Sequence, residues 1–113
     1  MQTIVELSEF QKRATNLFTD EEKLSIINYL ARHPMAGDIL QGTGGIRKLR
    51  WSAQGRGKSG GARVVYFYHN GTMPLFLLTV FGKGEKANLS KAERNDLARL
   101  TDLLRKHYGE VDE

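Results

Sequence analysis

Apolar positions along the chain follow two rhythms, and the switch between them marks out the elements. Thr3–Leu7 reads as a short opening strand. Phe10, Ala14, Leu17 and Phe18 then recur at the spacing of one helix face, and Ser8 with Gln11 has the capping-box spacing that predicts where this helix starts. Thr19 with Glu22 repeats that spacing, and Leu24, Ile27, Leu30 and Ala31 form the apolar stripe of a second helix. Pro34 stops it, because proline lacks an amide hydrogen and keeps the preceding residue out of helical geometry.

From Gly42 onward the rhythm becomes that of strands. Gly42-Thr43-Gly44-Gly45 is a tight turn into Ile46–Trp51, where alternation puts Ile46, Lys48 and Arg50 on one face and Arg47, Leu49 and Trp51 on the other. Ala53–Gly61, rich in glycine, reads as a loop, and Ala62–His69 as the next strand. Asn70-Gly71 is a hairpin-turn signal, and Leu75–Phe81 is apolar nearly throughout, as in a central strand covered on both faces. After a loop at Gly82–Ala87, Ser90 with Glu93 opens a last helix whose Leu97, Leu100, Leu104 and Tyr108 share one side. The expected architecture is a small α+β fold, one domain over residues 1–113. In it an antiparallel β-sheet meander is packed by two N-terminal helices and one C-terminal helix.

Composition agrees with this and narrows the chemistry. The 113 residues are 40% hydrophobic and 27% charged, which suits one globular domain and is too apolar for a disordered tail. With no cysteine, disulfide frameworks, cysteine zinc sites and thiol nucleophiles are all excluded. No apolar run approaches the ~18 residues of a membrane span, and Met1–Glu6 lacks a signal-peptide pattern, so a cytoplasmic protein is expected. The net charge of +4 is unevenly spread. Residues 1–41 sum to −2 and residues 92–113 to −2, while residues 42–91 carry nine basic side chains against Glu85 alone, or +8. A basic block between acidic flanks is the electrostatic footprint of a polyanion site.

Several tempting motifs fail. Gly57-Lys58-Ser59 resembles the end of a Walker A loop, but the required earlier glycine is Ser52, and strands flank the loop on both sides. His33, His69 and His107 share no ligand spacing, so no metal is expected; His69, at a strand end, is kept as an acid–base candidate. Trp51, Tyr66 and Tyr68 are read as core, the commoner fate of aromatics on strands. What remains is a set of lysines and arginines. Such a set can still cleave RNA, whose 2′-hydroxyl is an internal nucleophile beside the scissile phosphate. The protein then has only to align the chain and aim cations at the charge developing on phosphorus. DNA lacks that hydroxyl, so the same cluster would bind it without this route to cleavage.

Three runs, taken in order, carry a resemblance: Gln41–Trp51 with its G-T-G-G and K-L-R, Gly57–Tyr66 with G-G-A-R-V-V-Y, and Leu77–Lys83. Together they resemble the RelE superfamily of toxin–antitoxin toxins, with the glycine-rich loop most similar to its HigB-type branch. The resemblance implies a ribosome-dependent, metal-independent endoribonuclease that cuts mRNA in the decoding site and needs no cofactor. It also implies a cognate antitoxin, of helix-turn-helix HigA-like type, and a monomeric free toxin that meets ribosome and mRNA but no membrane. By position it assigns Lys48, Arg50, Arg63 and Lys83 to catalysis, with Arg63 on the pentavalent phosphate. Arg47, Arg56, Lys58, Phe81 and Lys86 are assigned to RNA binding, with Phe81 stacking on a base. Several relatives place an arginine directly after the residue matched by Lys83; here Gly84 follows, and Lys86 is the nearest substitute. The catalytic tyrosine of some relatives has no assigned counterpart, because Tyr108 lies far along the last helix, and the general base stays open between Lys48 and Lys58. A ParE-like gyrase inhibitor and a non-catalytic RNA- or ribosome-binding module are the alternative readings.

Overall fold

The computed structural model describes residues 1–52, 61–82, 84–85 and 88–109. The elements run β1 (Ile4–Glu6), α1 (Ser8–Leu17), α2 (Asp20–Arg32), β2 (Asp38–Ile39), β3 (Ile46–Trp51), β4 (Ala62–Phe67), β5 (Leu75–Gly82) and α3 (Lys91–Leu104), the last continuing into a wide π-type turn at Arg105–Gly109. The five strands form one sheet in the order β1-β5-β4-β3-β2. The fold is α+β as expected, but the sheet is mixed. β1 lies parallel to β5, while every other pair is antiparallel. The α1–α2 hairpin lets the chain leave β1 at one edge and begin again at β2 on the other, which a pure meander does not do.

Each sheet face has its own core. On the first, Phe10 and Ala14 of α1 and Ile26 and Leu30 of α2 pack on Val64, Tyr66, Leu75, Leu77 and Val80. On the second, α3 brings Leu97, Leu100 and Leu104 against Ile46, Val65, Phe67, Phe76, Leu78 and Phe81. Leu75–Phe81 is thus covered on both sides, as its apolar run predicts. A bulge changes its parity. Val65 pairs with Thr79 but Tyr66 pairs with Leu77, so Leu78 is an extra residue in β5. Phe76 and Leu78 therefore share a face with Phe81, which strict alternation would have sent to the opposite one.

Two of the three expected capping boxes form, at Thr19/Glu22 and Ser90/Glu93. The third does not: α1 is capped at Leu7 with no side-chain hydrogen bond. Leu7 is held there because its amide donates to Leu77 O in the parallel ladder at 3.0 Å, so the start of α1 is fixed from outside the helix. The stripe of α2 is also rotated from its expected position, with Ile26 buried and Leu24 57% exposed. Asn70-Gly71 forms an Asx turn, Asn70 Oδ1 accepting from Thr72 N at 2.9 Å. No helix among the described residues is long and apolar enough to cross a membrane.

Candidate nucleic-acid interface

The candidate site sits on β3 and β4, and the turn before β3 fixes where that strand lies. Gly42 and Gly44 take positive φ, 76° and 77°. The positive φ of Gly44 is what favours glycine there, and a Cβ would also sit 2.7 Å from Arg105 Nη1 and push that side chain aside. Arg105 Nη1 donates to Gly44 O at 3.1 Å, Thr101 Oγ1 donates to Thr43 O at 3.1 Å, and Ile46 N donates to Thr43 Oγ1 at 3.2 Å. The G-T-G-G motif is thus a docking turn that clamps the start of β3 to the end of α3.

From there the pleat decides which side chains meet. Arg50 is the register partner of Arg63, and Arg63 is the partner of Phe81, so these three form one row across β3, β4 and β5. In the next row Asp38, Lys48, Val65 and Thr79 stand opposite one another across β2 to β5. Directly opposed residues have Cβ atoms about 5 Å apart, and the i, i+2 step from Lys48 to Arg50 spans roughly 7 Å. Lys48, Arg50 and Arg63 therefore crowd one face. Like charges directly opposed destabilise a sheet. Arg50 is exposed, and neither it nor Arg63 makes an ion pair with a described residue. Among the described residues, Arg63 Nη1 has one hydrogen bond, a long one of 3.4 Å to Ala62 O. An anion lying between the two guanidiniums would relieve the repulsion, and phosphate oxygens match their forked donors.

The other expected residues separate. Arg47 points to the opposite face, where Nη1 donates to Gly37 O at 2.8 Å and Met35 O at 3.2 Å, and its Nε is buried with no acceptor. It braces the loop after α2, on the face opposite the other three cations. Tyr66, fully buried, completes that brace: its hydroxyl donates to Pro34 O and accepts from Gly37 N, both at 2.8 Å. Burial pushes the Tyr66 phenol pKa up. Phe81 lies in the cationic row but is 1% exposed, so its ring belongs to the core and the base-stacking expectation is corrected. Trp51 and Tyr68 pack on the first core cluster, away from the cationic face. Arg56, Lys58, Lys83 and Lys86 lie outside the described residues.

Two neighbours of Lys48 escaped sequence reasoning. Asp38 is its partner in the β2 ladder, on a two-residue strand too short to show periodicity. Asn88 accepts a hydrogen bond from Lys48 Nζ at 3.1 Å across forty positions of sequence, and no local pattern announces such a meeting. Glu85, the one acid of the basic block, is committed elsewhere: Oε1 accepts from Gly82 N at 2.8 Å and Oε2 faces Arg13 at 3.2 Å. Beside the row, a largely apolar cleft of about 230 Å³ opens between α1, β5 and α3 over Leu78 and Phe81.

A mixed five-stranded sheet with helices on both faces, and three cations gathered on one of them, defines a small α+β domain with a cationic sheet face. The chain matches the family described as the RelE toxin of the RelE / RelB toxin-antitoxin system over residues 4–110, and it belongs to that family. It is a toxin-type protein, and the family implies a cognate antitoxin as its partner.

Proposed function

We propose that this toxin is a ribosome-dependent endoribonuclease that cleaves mRNA in the decoding site, without metal or cofactor, and so halts translation. The carrying observation is the direct cross-strand opposition of Arg50 and Arg63 with Lys48 on the same face. In the reaction the 2′-oxygen attacks the adjacent phosphorus, the P–O5′ bond breaks, and a 2′,3′-cyclic phosphate and a 5′-hydroxyl result. The 2′-proton passes to a base, and the leaving oxygen takes a proton. Arg63 and Arg50 stabilise the pentavalent phosphate, Lys83, next in sequence after Gly82, adds positive charge, and Lys48 or Lys58 handles the proton. Arg56, Lys58 and Lys86 hold RNA. Arg50 is exposed and Arg63 half-buried at the uncovered end of this face, with no enclosing pocket around them among the described residues, so in-line alignment of the message is assigned to the ribosome.

On this reading the free toxin is monomeric and cytoplasmic, where ribosomes are, and of HigB type, silenced by a helix-turn-helix HigA-like antitoxin. Primer extension on a message incubated with the toxin tests the reading, with and without ribosomes. Cuts that appear only with ribosomes support it. Intact message together with DNA damage in induced cells would instead mark a gyrase inhibitor, and salt-sensitive ribosome binding without cuts would mark a non-catalytic module.

A further inference from the structure

We infer that Asn88 is a positioning residue for Lys48, holding its ammonium group at a fixed point beside the Arg50–Arg63 pair; this rests on the nuclease reading above. Asn88 Oδ1 accepts from Lys48 Nζ at 3.1 Å and from the amide of Leu89 at 2.9 Å. Two donors converging on one oxygen fix which way the amide points. The acceptor is anchored in turn: Leu89 is 7% exposed in the second core cluster, and Ser90 caps α3 through its box with Glu93. The oxygen thus stands just before the capped head of α3, next to buried Leu89, while Lys48 reaches it from β3.

A tether matters here because lysine has a long, flexible stem and many rotamers. Asp38, the neighbour of Lys48 in the β2 register, offers a competing acceptor. Pairing with that carboxylate would draw the ammonium to the sheet edge and offset its charge. The Asn88 amide orients the group without adding a charge beside it, so Lys48 stays free to exchange a proton with the reacting RNA. Lys48 then acts on the reacting atoms, and Asn88 acts only through Lys48.

The test combines cleavage kinetics on mRNA-programmed ribosomes with NMR of the lysine ammonium groups, on the full chain. Asn88→Ala is expected to lower the single-turnover cleavage rate about tenfold, as loss of a hydrogen bond to a charged group does, with the half-saturating ribosome concentration unchanged. In the Lys48→Ala background, Asn88→Ala is expected to cost nothing more. The Lys48 ammonium is expected to lose order in Asn88→Ala and to keep it in Asn88→Asp, which retains the oxygen. An equal loss from Asn88→Ala in both backgrounds overturns the inference and leaves the nuclease reading standing. Full cleavage by Lys48→Ala removes Lys48 from the reaction and overturns it too. An unaltered protein that leaves programmed message uncut overturns the nuclease reading and this inference with it.

Discussion

The two faces of the sheet treat the same residue type in opposite ways. Arg47 and Arg50 lie three residues apart on β3. On the α2 side, Arg47 meets two backbone carbonyls and stands beside a buried tyrosine whose hydroxyl both donates and accepts. On the other side, Arg50 faces a second arginine across the ladder, with no ion pair to a described residue. Buried polar groups in native structures are nearly always paired, since leaving one unmade is expensive. A face that pairs its cations is therefore built for stability. A face that opposes them carries an electrostatic cost that a polyanion would offset, and the likeness of the residues hides this until the strands are paired.

The sharpest way to break this contrast is Arg63→Ala. Cleavage should fall about 10²- to 10³-fold, the range for losing one preorganised donor to a developing oxyanion, while the thermal midpoint holds. A well-folded Arg63→Ala protein that still cuts message and arrests growth would falsify the assignment. Tyr66→Phe probes the opposite face. It strands Gly37 N–H and Pro34 O, and chemical denaturation should show a loss of about 1–3 kcal/mol with cleavage per folded molecule retained. It should also remove a pH dependence. The phenol is raised in the folded state, so its contribution is complete below the unfolded value, about 10, and declines as pH rises through the folded one. Denaturation curves of the unaltered protein should weaken in that alkaline window, and those of the variant less so.

Arg50→Ala should act in the reverse sense to Tyr66→Phe. A cleavage loss of about tenfold should come with unchanged or slightly raised stability, a few tenths of a kcal/mol, because a like-charge opposition is relieved. Thr19→Ala is the mildest. It removes the capping-box hydroxyl of α2, which accepts from Glu22 N at 3.1 Å, and should lower stability by about 1 kcal/mol with cleavage untouched.

The candidate site was legible in the sequence as far as local geometry reaches. Lys48 and Arg50 share a face because alternation along one strand needs no partner, and the K-L-R spacing states it outright. Arg63 joins them only through the β3–β4 register. The bracing by Arg47 is not legible locally, because its carbonyl partners come from a loop ten and more residues earlier. Phe81 was misread because the strand alone does not show what covers its ring. Asp38 and Asn88 left no pattern, the first on a strand of two residues and the second in a loop.

Short-range features follow from neighbouring residues alone. Helix periods, the caps at Thr19 and Ser90, the bounds of β3 and the glycine turn before it all depend on residues within a few positions of one another. Long-range pairing set the rest. It laid β1 parallel to β5, took over the start of α1 from Ser8, inserted Leu78 as a bulge, and brought Asn88 to Lys48. These features depend on which distant backbone groups pair and in what register. A one-residue shift exchanges the faces of a strand without altering a single local preference.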